Sequence, residues 1–342
     1  MDILAVDVGA GTQDIFLYQD EIPLEGSTKA VLPSQTVVVA GRIDQARLQG
    51  RDIFLLGPTM GGGASTSAIR RHLSSGLKVY ATSSAAATVN DDLSRVASMG
   101  VIIQDQAPPD AVGITTGDID LPALESAFGQ FGVSLPKDIA VAVQDHGFSP
   151  GRSNRLVRFE YLASKIKAGG RLESFGMKTP PGFMTRMNAV KVYLQDREFR
   201  PFLMDTGPAA LLGATLDPRF KSPALVINFG NGHTIAAIVD DTRVMALFEH
   251  HTSDLTPDKL RLFLDRFCRG TLTNSEIFDD GGHGAYIEEA EKVRSVLVTG
   301  PRRESFIQSG AMKDLGQAIA AAPGGDMMIT GCLGLIEAWR RS

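Results

Sequence analysis

Apolar and polar positions follow the same pattern at two places in the chain. Each time an apolar run breaks at a polar residue and two glycines and then resumes, at residues 3–17 and again at residues 225–238. The matching positions, first copy before second, are Asp7 and Asn228, Gly9 and Gly230, and Gly11 and Gly232. All three pairs share one offset, 221 residues from Asp7 to Asn228. This register predicts two related halves that face a common ligand, each beginning with a buried strand and its hairpin partner.

The glycine turn of each copy predicts an anion site. Glycines two residues apart let the backbone adopt positive φ, so that several amide groups converge on one point where phosphate is the usual ligand. Asp7, at the end of the first strand, would then need a cation beside the phosphate, most simply a hydrated Mg²⁺ ion. The alternative is an ordinary hairpin turn without a ligand. A dinucleotide site is not expected, because Asp14 occupies the position of the third glycine and a strand follows instead of a helix.

The rest of the pattern alternates strands with helices, which predicts an α/β fold. Further strands are predicted at residues 35–39, 53–56, 78–81, 112–115 and 139–143. Helices are predicted at residues 42–48, 65–74, 85–98, 121–131, 154–167, 185–196 and 257–267. A three-stranded meander from Ala224 to Glu249 begins the second half.

Composition narrows the class of protein. The 342 residues, 43% hydrophobic and 21% charged, suffice for two domains that each bury a core. A net charge of −5 without a long basic run argues against nucleic acid as a partner. Two distant cysteines argue against a disulfide framework or a structural zinc site and fit a reducing cytoplasm. With no cationic start and no apolar stretch near the ~20 residues of a membrane span, we expect a cytoplasmic protein without a membrane partner.

On its two glycine hairpins the chain resembles the superfamily of actin, Hsp70 and sugar kinases, whose members bind nucleotides between two domains. The resemblance implies an α/β fold of two ribonuclease-H-like domains, of actin-like ATPase type, facing a nucleotide cleft. It implies ATP and Mg²⁺ as cofactors, with Asp7 holding Mg²⁺ through water. It also implies domains at residues 1–213 and 214–342, with the C-terminal helix returning to the first. Small residues in Gly207–Ala214 predict a connecting helix that lets a second helix cross closely.

The same resemblance implies which residues contact the nucleotide. The first hairpin would supply Gly9, Ala10, Gly11, Thr12 and Gln13, and the second Asn228, Gly230, Asn231, Gly232, His233 and Thr234. Met327–Gly334 would form a strand and a third glycine-rich turn, in which Gly331 and Gly334 hold the adenosine. Active members commonly have carboxylates where this chain has Asn228 and Asn231, and an amide carries no charge to hold a divalent ion. Nucleotide binding without ordinary hydrolysis is therefore an alternative.

A narrower resemblance rests on Asp7–Asp14 and Gln144–Gly147. These segments are similar to a prokaryotic family described as a pyruvate formate-lyase activating enzyme. Such activating enzymes cleave S-adenosylmethionine with a [4Fe-4S] cluster held by three closely spaced cysteines. The chain has only Cys268 and Cys332, so its sequence predicts no radical chemistry of this kind.

A glycine-rich loop at Gly57–Thr66 predicts a second anion site. It follows a strand and begins a helix, so free amides and the positive end of the helix dipole would face a docked anion. The residues expected to bind a substrate carboxylate or phosphate are Gly61, Gly62, Gly63 and Ser65. The alternative is a flexible turn in which Ser65 or Thr66 caps the helix.

Asp145 and His146 follow the predicted strand 139–143, at an edge where ligands collect in α/β sheets. They are the best catalytic candidates beside Asp7, either as a base or as metal ligands. The alternative is an aspartate–glycine turn satisfied by local hydrogen bonds.

Five of the six histidines lie in predicted turns or strand ends, which suggests a transition-metal site. The candidate ligands are His146, His250 and His251, with His233 and His283 as further members. Adjacent strand residues point to opposite faces, so His250 and His251 are not expected to share one metal. The alternative is that these are surface or structural histidines.

Three functions follow from these motifs. The first is an ATP- and Mg²⁺-dependent phosphotransferase or ATPase acting on a small-molecule substrate, with Asp145 or His146 activating the acceptor. The second is a nucleotide-sensing or scaffold protein without useful turnover, which both hairpin asparagines favour. The third is a metal-dependent acyl or carbamoyl transferase. The sequence leaves room for a homo-oligomer.

Overall fold

Strands and helices alternate along the chain in the computed structural model, which describes residues 2–342. In that part of the chain the strands are β1 (Asp2–Val8), β2 (Thr12–Gln19), β3 (Lys29–Pro33), β4 (Ile53–Leu56), β5 (Val79–Ala81), β6 (Val101–Ile103), β7 (Val112–Thr115), β8 (Asp138–Val143), β9 (Arg200–Met204), β10 (Ala224–Phe229), β11 (His233–Asp240), β12 (Arg243–His251), β13 (Gly284–Ile287), β14 (Ser295–Thr299) and β15 (Ala318–Ala320). The helices are α1 (Gln35–Leu48), α2 (Gly63–Ser74), α3 (Ser83–Ala86), α4 (Leu93–Ser98), α5 (Leu121–Gly129), α6 (Asn154–Lys167), α7 (Thr185–Gln195), α8 (Thr206–Thr215), α9 (Pro257–Cys268), α10 (Asn274–Asp279), α11 (Arg303–Gln308) and α12 (Thr330–Arg340).

The first sheet has the strand order β3-β2-β1-β8-β9. Its first three strands are antiparallel, whereas β8 and β9 run parallel to β1. Successive residues of β1 are buried on opposite faces, Ile3 in one core cluster and Leu4 in another. A strand covered on both faces explains why β1 is a continuous apolar run rather than an alternating one.

The second sheet, β13-β12-β11-β10-β14-β15, repeats this arrangement. Its strand β10 pairs antiparallel with β11 and parallel with β14, just as β1 pairs with β2 and β8. The shared order of a three-stranded meander followed by parallel strands is that of two ribonuclease-H-like units. The fold class expected from the sequence, α/β with two such units of actin-like ATPase type, is confirmed.

A third sheet, β6-β5-β4-β7, is inserted between β3 and β8. Its strands are all parallel, and helices α1 and α2 pack together beside it. The insertion buries its own core, which includes Val39, Ile43, Ile53 and Ile69. This small subdomain carries the loop between β4 and α2 toward the other two sheets.

Helices α8 and α12 cross at very short range between the first and second sheets. A Cβ on Gly213 would overlap the Thr330 carbonyl oxygen, and one on Gly334 would overlap the Ala209 carbonyl oxygen. The predicted close crossing at Gly207–Ala214 is confirmed. Helix α12 also packs on β1 and β8, and no helix in residues 2–342 is both long and apolar enough to cross a bilayer.

Three sequence predictions of local structure are wrong. Residues 35–39 belong to α1 rather than a strand, because Val39, Ile43 and Ala46 form one buried helical face that overrides the local β-branched run. The predicted helix 85–98 is split into α3 and α4, since Asp92 caps a new helix by accepting the Ser94 amide at 3.0 Å. The predicted strand and adenosine turn at residues 327–334 is mostly the start of α12.

Candidate functional site

The two hairpin turns have the same hydrogen-bonded geometry. The Gly9 amide donates to the Thr12 carbonyl at 2.8 Å, and the Gly230 amide donates to the His233 carbonyl at 3.0 Å. None of the four turn glycines adopts positive φ, so the predicted reason for their presence is wrong. At Gly9 and Gly230 the reason is space, because a Cβ would lie 3.1 Å from the Thr12 carbonyl oxygen and 2.7 Å from the His233 carbonyl oxygen, whereas a Cβ on Gly232 would meet no atom within 4 Å.

The two turns meet across a single cleft. A Cβ on Gly11 would lie 3.3 Å from Asn231 Nδ2, so the tips of the hairpins are close neighbours. Both turns line a cleft of about 500 Å³. A volume of this size suits a nucleotide-sized ligand. The sequence repeat therefore corresponds to two turns that face one shared space.

Most residues predicted to contact the nucleotide line this cleft. They are Asp7, Gly9, Ala10, Thr12, Asn228, Gly230, Asn231, Gly232, His233 and Gly331. Gln13 and Thr234 are buried instead, with Gln13 Nε2 donating to the Pro33 carbonyl at 3.0 Å and Thr234 Oγ1 lying 3.0 Å from Thr252 Oγ1. Gly334 faces α8 rather than the cleft, which corrects its predicted adenosine contact.

Two carboxylates, Asp7 and Asp14, lie side by side at the first hairpin. They are cross-strand partners in β1 and β2, and Thr206 Oγ1 donates to Asp7 Oδ1 at 2.6 Å. Burial raises the pKa of Asp7 to about 6, against the lowering effect of the Thr206 hydroxyl. Burial, followed by the charges of Asp7 and Asp326, raises the pKa of Asp14 to about 8. Adjacent carboxylates that titrate this high form a place where a divalent cation would relieve the repulsion.

The loop before α2 forms another wall of the cleft. Gly61, Gly62 and Gly63 line it, as predicted for a substrate site, but Ser65 does not. Ser65 is fully buried, and its hydroxyl donates to the Gly62 carbonyl at 2.6 Å. Its amide donates to Thr36 Oγ1 at 3.1 Å, so a threonine from α1 partners this amide near the start of α2.

Arg186 is a cleft residue that sequence reasoning missed. It makes a bidentate ion pair with Asp118, with both nitrogen–oxygen distances 2.7 Å, and the same aspartate accepts the Gly61 amide at 3.1 Å. A Cβ on Gly61 would lie 2.7 Å from Arg186 Nη2. The glycine is therefore needed where the guanidinium crosses the loop.

Both carboxylate oxygens of Asp145, the predicted base, accept backbone amides. Its Oδ1 accepts the Gly147 amide at 2.8 Å, and its Oδ2 accepts the Met187 amide in the first turn of α7 at 2.9 Å. Burial raises the pKa of Asp145 despite these two amides. The side chain closes an aspartate–glycine turn and fixes α7, as the structural alternative predicted.

A buried ionic network spans the site. Arg158 of α6 binds Asp205 Oδ2 at 2.5 Å and Oδ1 at 2.9 Å, and binds Glu249 Oε2 at 2.7 Å and Oε1 at 2.8 Å. Asp205 precedes α8, and Glu249 lies on β12 of the second sheet. Burial opposes the charge of Glu249, but Arg158 holds its pKa well below the usual range. Nothing in the sequence marks these three distant residues as partners.

The histidines form a cluster at the same end of the cleft. His146, His233 and His283 have ring nitrogens within 4.8 Å of one another. The ring centroid of His251 is 4.7 Å from that of His233, whereas His250 points elsewhere. His250 Nε2 lies 2.9 Å from Asp280 Oδ2 and its Nδ1 lies 3.1 Å from the His251 carbonyl. Of the five histidines predicted as candidate ligands, His146, His233 and His283 therefore lie together with His251 beside them, whereas His250 lies apart.

Burial keeps the clustered imidazoles neutral. It lowers the pKa of His233 to about 4 and that of His283 to about 3, and lowers the pKa of His146 well below its usual value. A neutral imidazole has a free lone pair for a metal ion.

A family model described as "Putative pyruvate format-lyase activating enzyme (DUF1786)" matches residues 60–305. No curated protein matches the chain at a significant level.

Solved structures resemble the chain over nearly its whole length. An activator of 2-hydroxyisocaproyl-CoA dehydratase from Clostridium difficile, with bound ADPNP, is 9% identical, with 100% of this chain and 97% of that chain covered and a TM-score of 0.40. Ethanolamine utilization protein EutJ from Carboxydothermus hydrogenoformans is 12% identical, with coverages of 98% and 89% and a TM-score of 0.35. A Bacteroides thetaiotaomicron protein with an actin-like ATPase fold is 6% identical, with coverages of 97% and 95% and a TM-score of 0.41. These likenesses concern the fold alone.

The cysteines do not fit the cluster that a pyruvate formate-lyase activating enzyme needs. Cys332 is buried in α12, where its Sγ donates to the Asp14 carbonyl at 3.1 Å. Cys268 ends α9 and packs against the core of the second sheet. A [4Fe-4S] cluster with three cysteine ligands cannot be assembled from this donor set.

Proposed function

The chain belongs to the family whose model matches residues 60–305, and for this member we propose an ATP- and Mg²⁺-dependent phosphotransferase or ATPase that acts on a small molecule. The single observation that carries the proposal is the meeting of two equivalent glycine turns around one cleft, with Gly11 and Asn231 as neighbours. Phosphoryl transfer depends mainly on positioning and on neutralising charge. Two facing turns and a carboxylate pair are suited to both tasks.

Asp7 and Asp14 would hold Mg²⁺ in this proposal. They are the closely paired carboxylates at the first turn, and Asp14 Oδ1 is buried without a hydrogen-bond partner. A buried, unpartnered carboxylate oxygen is costly unless a cation or water satisfies it. Asp7 and Asp14 would hold the ion at the first turn, where its positive charge would neutralise negative charge that develops on the phosphates.

The acceptor would bind beside the loop before α2. Gly61–Gly63 and Arg186 line this part of the cleft, and the Arg186 side chain is 16% exposed while paired with Asp118. A cationic side chain at the wall of the cleft favours an acceptor that carries a carboxylate or phosphate.

Nucleotide sensing without turnover is the second candidate. Asn228 and Asn231 place amides in the second turn, and both oxygens of Asp145 are engaged by backbone amides. These features reduce the supply of charged groups that organise or deprotonate a nucleophile. Metal-dependent acyl or carbamoyl transfer stays a prediction from the sequence.

Calorimetry and an ADP-release assay test the proposal together. ATP binding should require Mg²⁺ for full affinity, and one member of a panel of carboxylate and phosphate acceptors should raise ADP release. Asp7→Asn should lower turnover by about 100-fold, because it removes a charge from the metal site. Asp44→Asn is the matched control, since Asp44 pairs with Arg71 and does not line the cleft, and should leave turnover within about twofold.

Each outcome separates the candidates. Tight ATP binding with no turnover across the panel would favour the sensor. No ATP binding at about 1 mM would refute nucleotide binding itself. Equal losses in Asp7→Asn and Asp44→Asn would refute the role of Asp7.

A further inference from the structure

Three imidazoles share a buried corner of the cleft without hydrogen-bond partners for several of their nitrogens. His146, His233 and His283 bring ring nitrogens within 4.8 Å of one another. His283 is fully buried, and its Nε2 has no hydrogen-bond partner; Nε2 of His233 is likewise buried and unpartnered. Buried polar atoms without partners carry a desolvation cost that a ligand can remove.

We propose that these three histidines bind one divalent transition-metal ion of the zinc class, at a site separate from the Mg²⁺ site at Asp7. Three imidazoles without a fourth protein ligand are the donor set of an open zinc site, which leaves a position for water or another oxygen donor. His146 and His233 line the cleft, so that position faces the cleft. The ion would hold a water molecule or an oxygen atom of the bound small molecule.

The charges around the cluster favour a cation. Arg158 contributes one positive charge, whereas Asp205 and Glu249 contribute two negative charges, so this buried network carries one net negative charge. Glu249 Oε2 lies 3.3 Å from His283 Nδ1. A carboxylate behind a histidine ligand is the usual means of orienting the ring and strengthening its bond to a metal. Glu249 therefore acts as a positioning residue for His283.

The ligands come from both halves of the molecule. His146 follows β8 of the first sheet, whereas His233 begins β11 and His283 immediately precedes β13 of the second sheet. Nitrogens bound to one zinc ion at 2.0–2.1 Å lie about 3.3 Å apart in a tetrahedral site. The three nitrogens now lie up to 4.8 Å apart, so binding of the ion would bring these side chains, and with them the ends of the two sheets, slightly closer.

Titration of the full-length protein with Co²⁺ and Zn²⁺ tests the site. Co²⁺ should give the visible absorption of a tetrahedral centre at one ion per chain, and Zn²⁺ should displace it. His146→Gln, His233→Gln and His283→Gln should each weaken Zn²⁺ binding by about 100-fold, because each removes one of three ligands. His250→Gln is the matched control, since His250 is also buried and lies on β12 but pairs with Asp280. It should change Zn²⁺ affinity by less than about threefold.

Two results would overturn the inference. The first is Co²⁺ that stays octahedral or binds only at millimolar concentration in the wild-type protein. The second is a loss in His250→Gln equal to that in His283→Gln. Circular dichroism and melting temperature identify any unfolded variant; His146 is only half-buried, so His146→Gln keeps the test decisive if a variant at His233 or His283 fails to fold. ATP binding is measured separately, so failure of the metal site leaves the nucleotide proposal standing.

Discussion

The free energy of unfolding of the ligand-free protein should rise when Asp14 is replaced by asparagine, and it should rise more at high pH. Burial, followed by the charges of Asp7 and Asp326, raises the pKa of Asp14 to about 8 in the folded protein, from a usual value of 3.8. Between these two values the unfolded chain has released its proton while the folded chain still holds it. The unfolded state then binds fewer protons, so the free energy of unfolding falls as the pH rises from about 4 to about 8.

The size of the effect follows from the interval between the two pKa values. At 1.36 kcal/mol for each pH unit, an interval from 3.8 to about 8 gives an upper limit of about 6 kcal/mol. Asp14 is only partly buried, and solvent screening reduces this figure, so we expect a gain of about 2 kcal/mol for Asp14→Asn near pH 8.5. Near pH 5 the gain should be below about 1 kcal/mol. Urea unfolding at both pH values, followed by circular dichroism, measures the difference.

Asp138 provides a control, because its pKa is shifted in the opposite direction to that of Asp14. Hydrogen bonds from Arg200, at 2.8 and 2.6 Å, outweigh burial and lower the pKa of Asp138. Asp138 therefore stabilises the folded protein above its unfolded pKa, and this contribution disappears as the pH falls. Asp138→Asn should lower the free energy of unfolding at pH 8.5 by at most about 1 kcal/mol, because Arg200 is largely exposed and solvent weakens the ion pair. A gain for Asp14→Asn that is equal at both pH values, or a loss at pH 8.5, would refute the reasoning.

Three further substitutions test other features. Gly331→Ala should weaken Mg²⁺–ATP binding by about tenfold in calorimetry, because its Cβ would overlap Asp7 Oδ2 and displace that carboxylate. Gly213→Ala should lower the free energy of unfolding by about 2 kcal/mol in urea, because its Cβ would overlap a backbone oxygen of α12. Arg158→Met should cost about 3–5 kcal/mol in the same assay, since it leaves two buried carboxylates without their cation.

Each of these has an outcome that contradicts it. Gly129→Ala is the control for Gly213→Ala, since no atom lies near its added Cβ, and it should be neutral or stabilising by about 0.5–1 kcal/mol. Unchanged ATP affinity in Gly331→Ala would mean that Asp7 does not hold the metal. A cost below about 1 kcal/mol for Arg158→Met would mean that water reaches the network in the folded protein.

The sequence predicted those elements whose stabilising contacts lie between residues that are close together in the chain. The apolar runs around Gly9 and Gly230 predicted both hairpins because strand, turn and strand are contiguous in the chain. The run at residues 35–39 misled because its β-branched residues favour a strand, whereas burial of one helical face favours α1. Gly331 and Gly334 suggested a turn, but they are needed because α12 lies against Asp7 at Gly331 and against α8 at Gly334, contacts that no local signal records.

The candidate site was predicted only in part for the same reason. Asp7 and the hairpin asparagines lie in the repeated motif, so the sequence identified them. Arg158 and Arg186 lie in helices α6 and α7, and the sequence of a helix does not distinguish a buried arginine from a solvent-exposed one. The sequence named five candidate histidines but could not select His146, His233 and His283, because their proximity depends on the pairing of distant strands.

Arg158 forms ion pairs with Asp205, next to the first sheet, and with Glu249 of the second sheet, so the two halves stabilise each other. One core cluster also draws side chains from both sheets, among them Phe16 and Val226. Separating the two halves would leave Glu249 without Arg158 and would expose the shared core to water. Despite its internal repeat, the molecule should therefore melt in a single cooperative transition, and neither half should survive as an autonomous fragment.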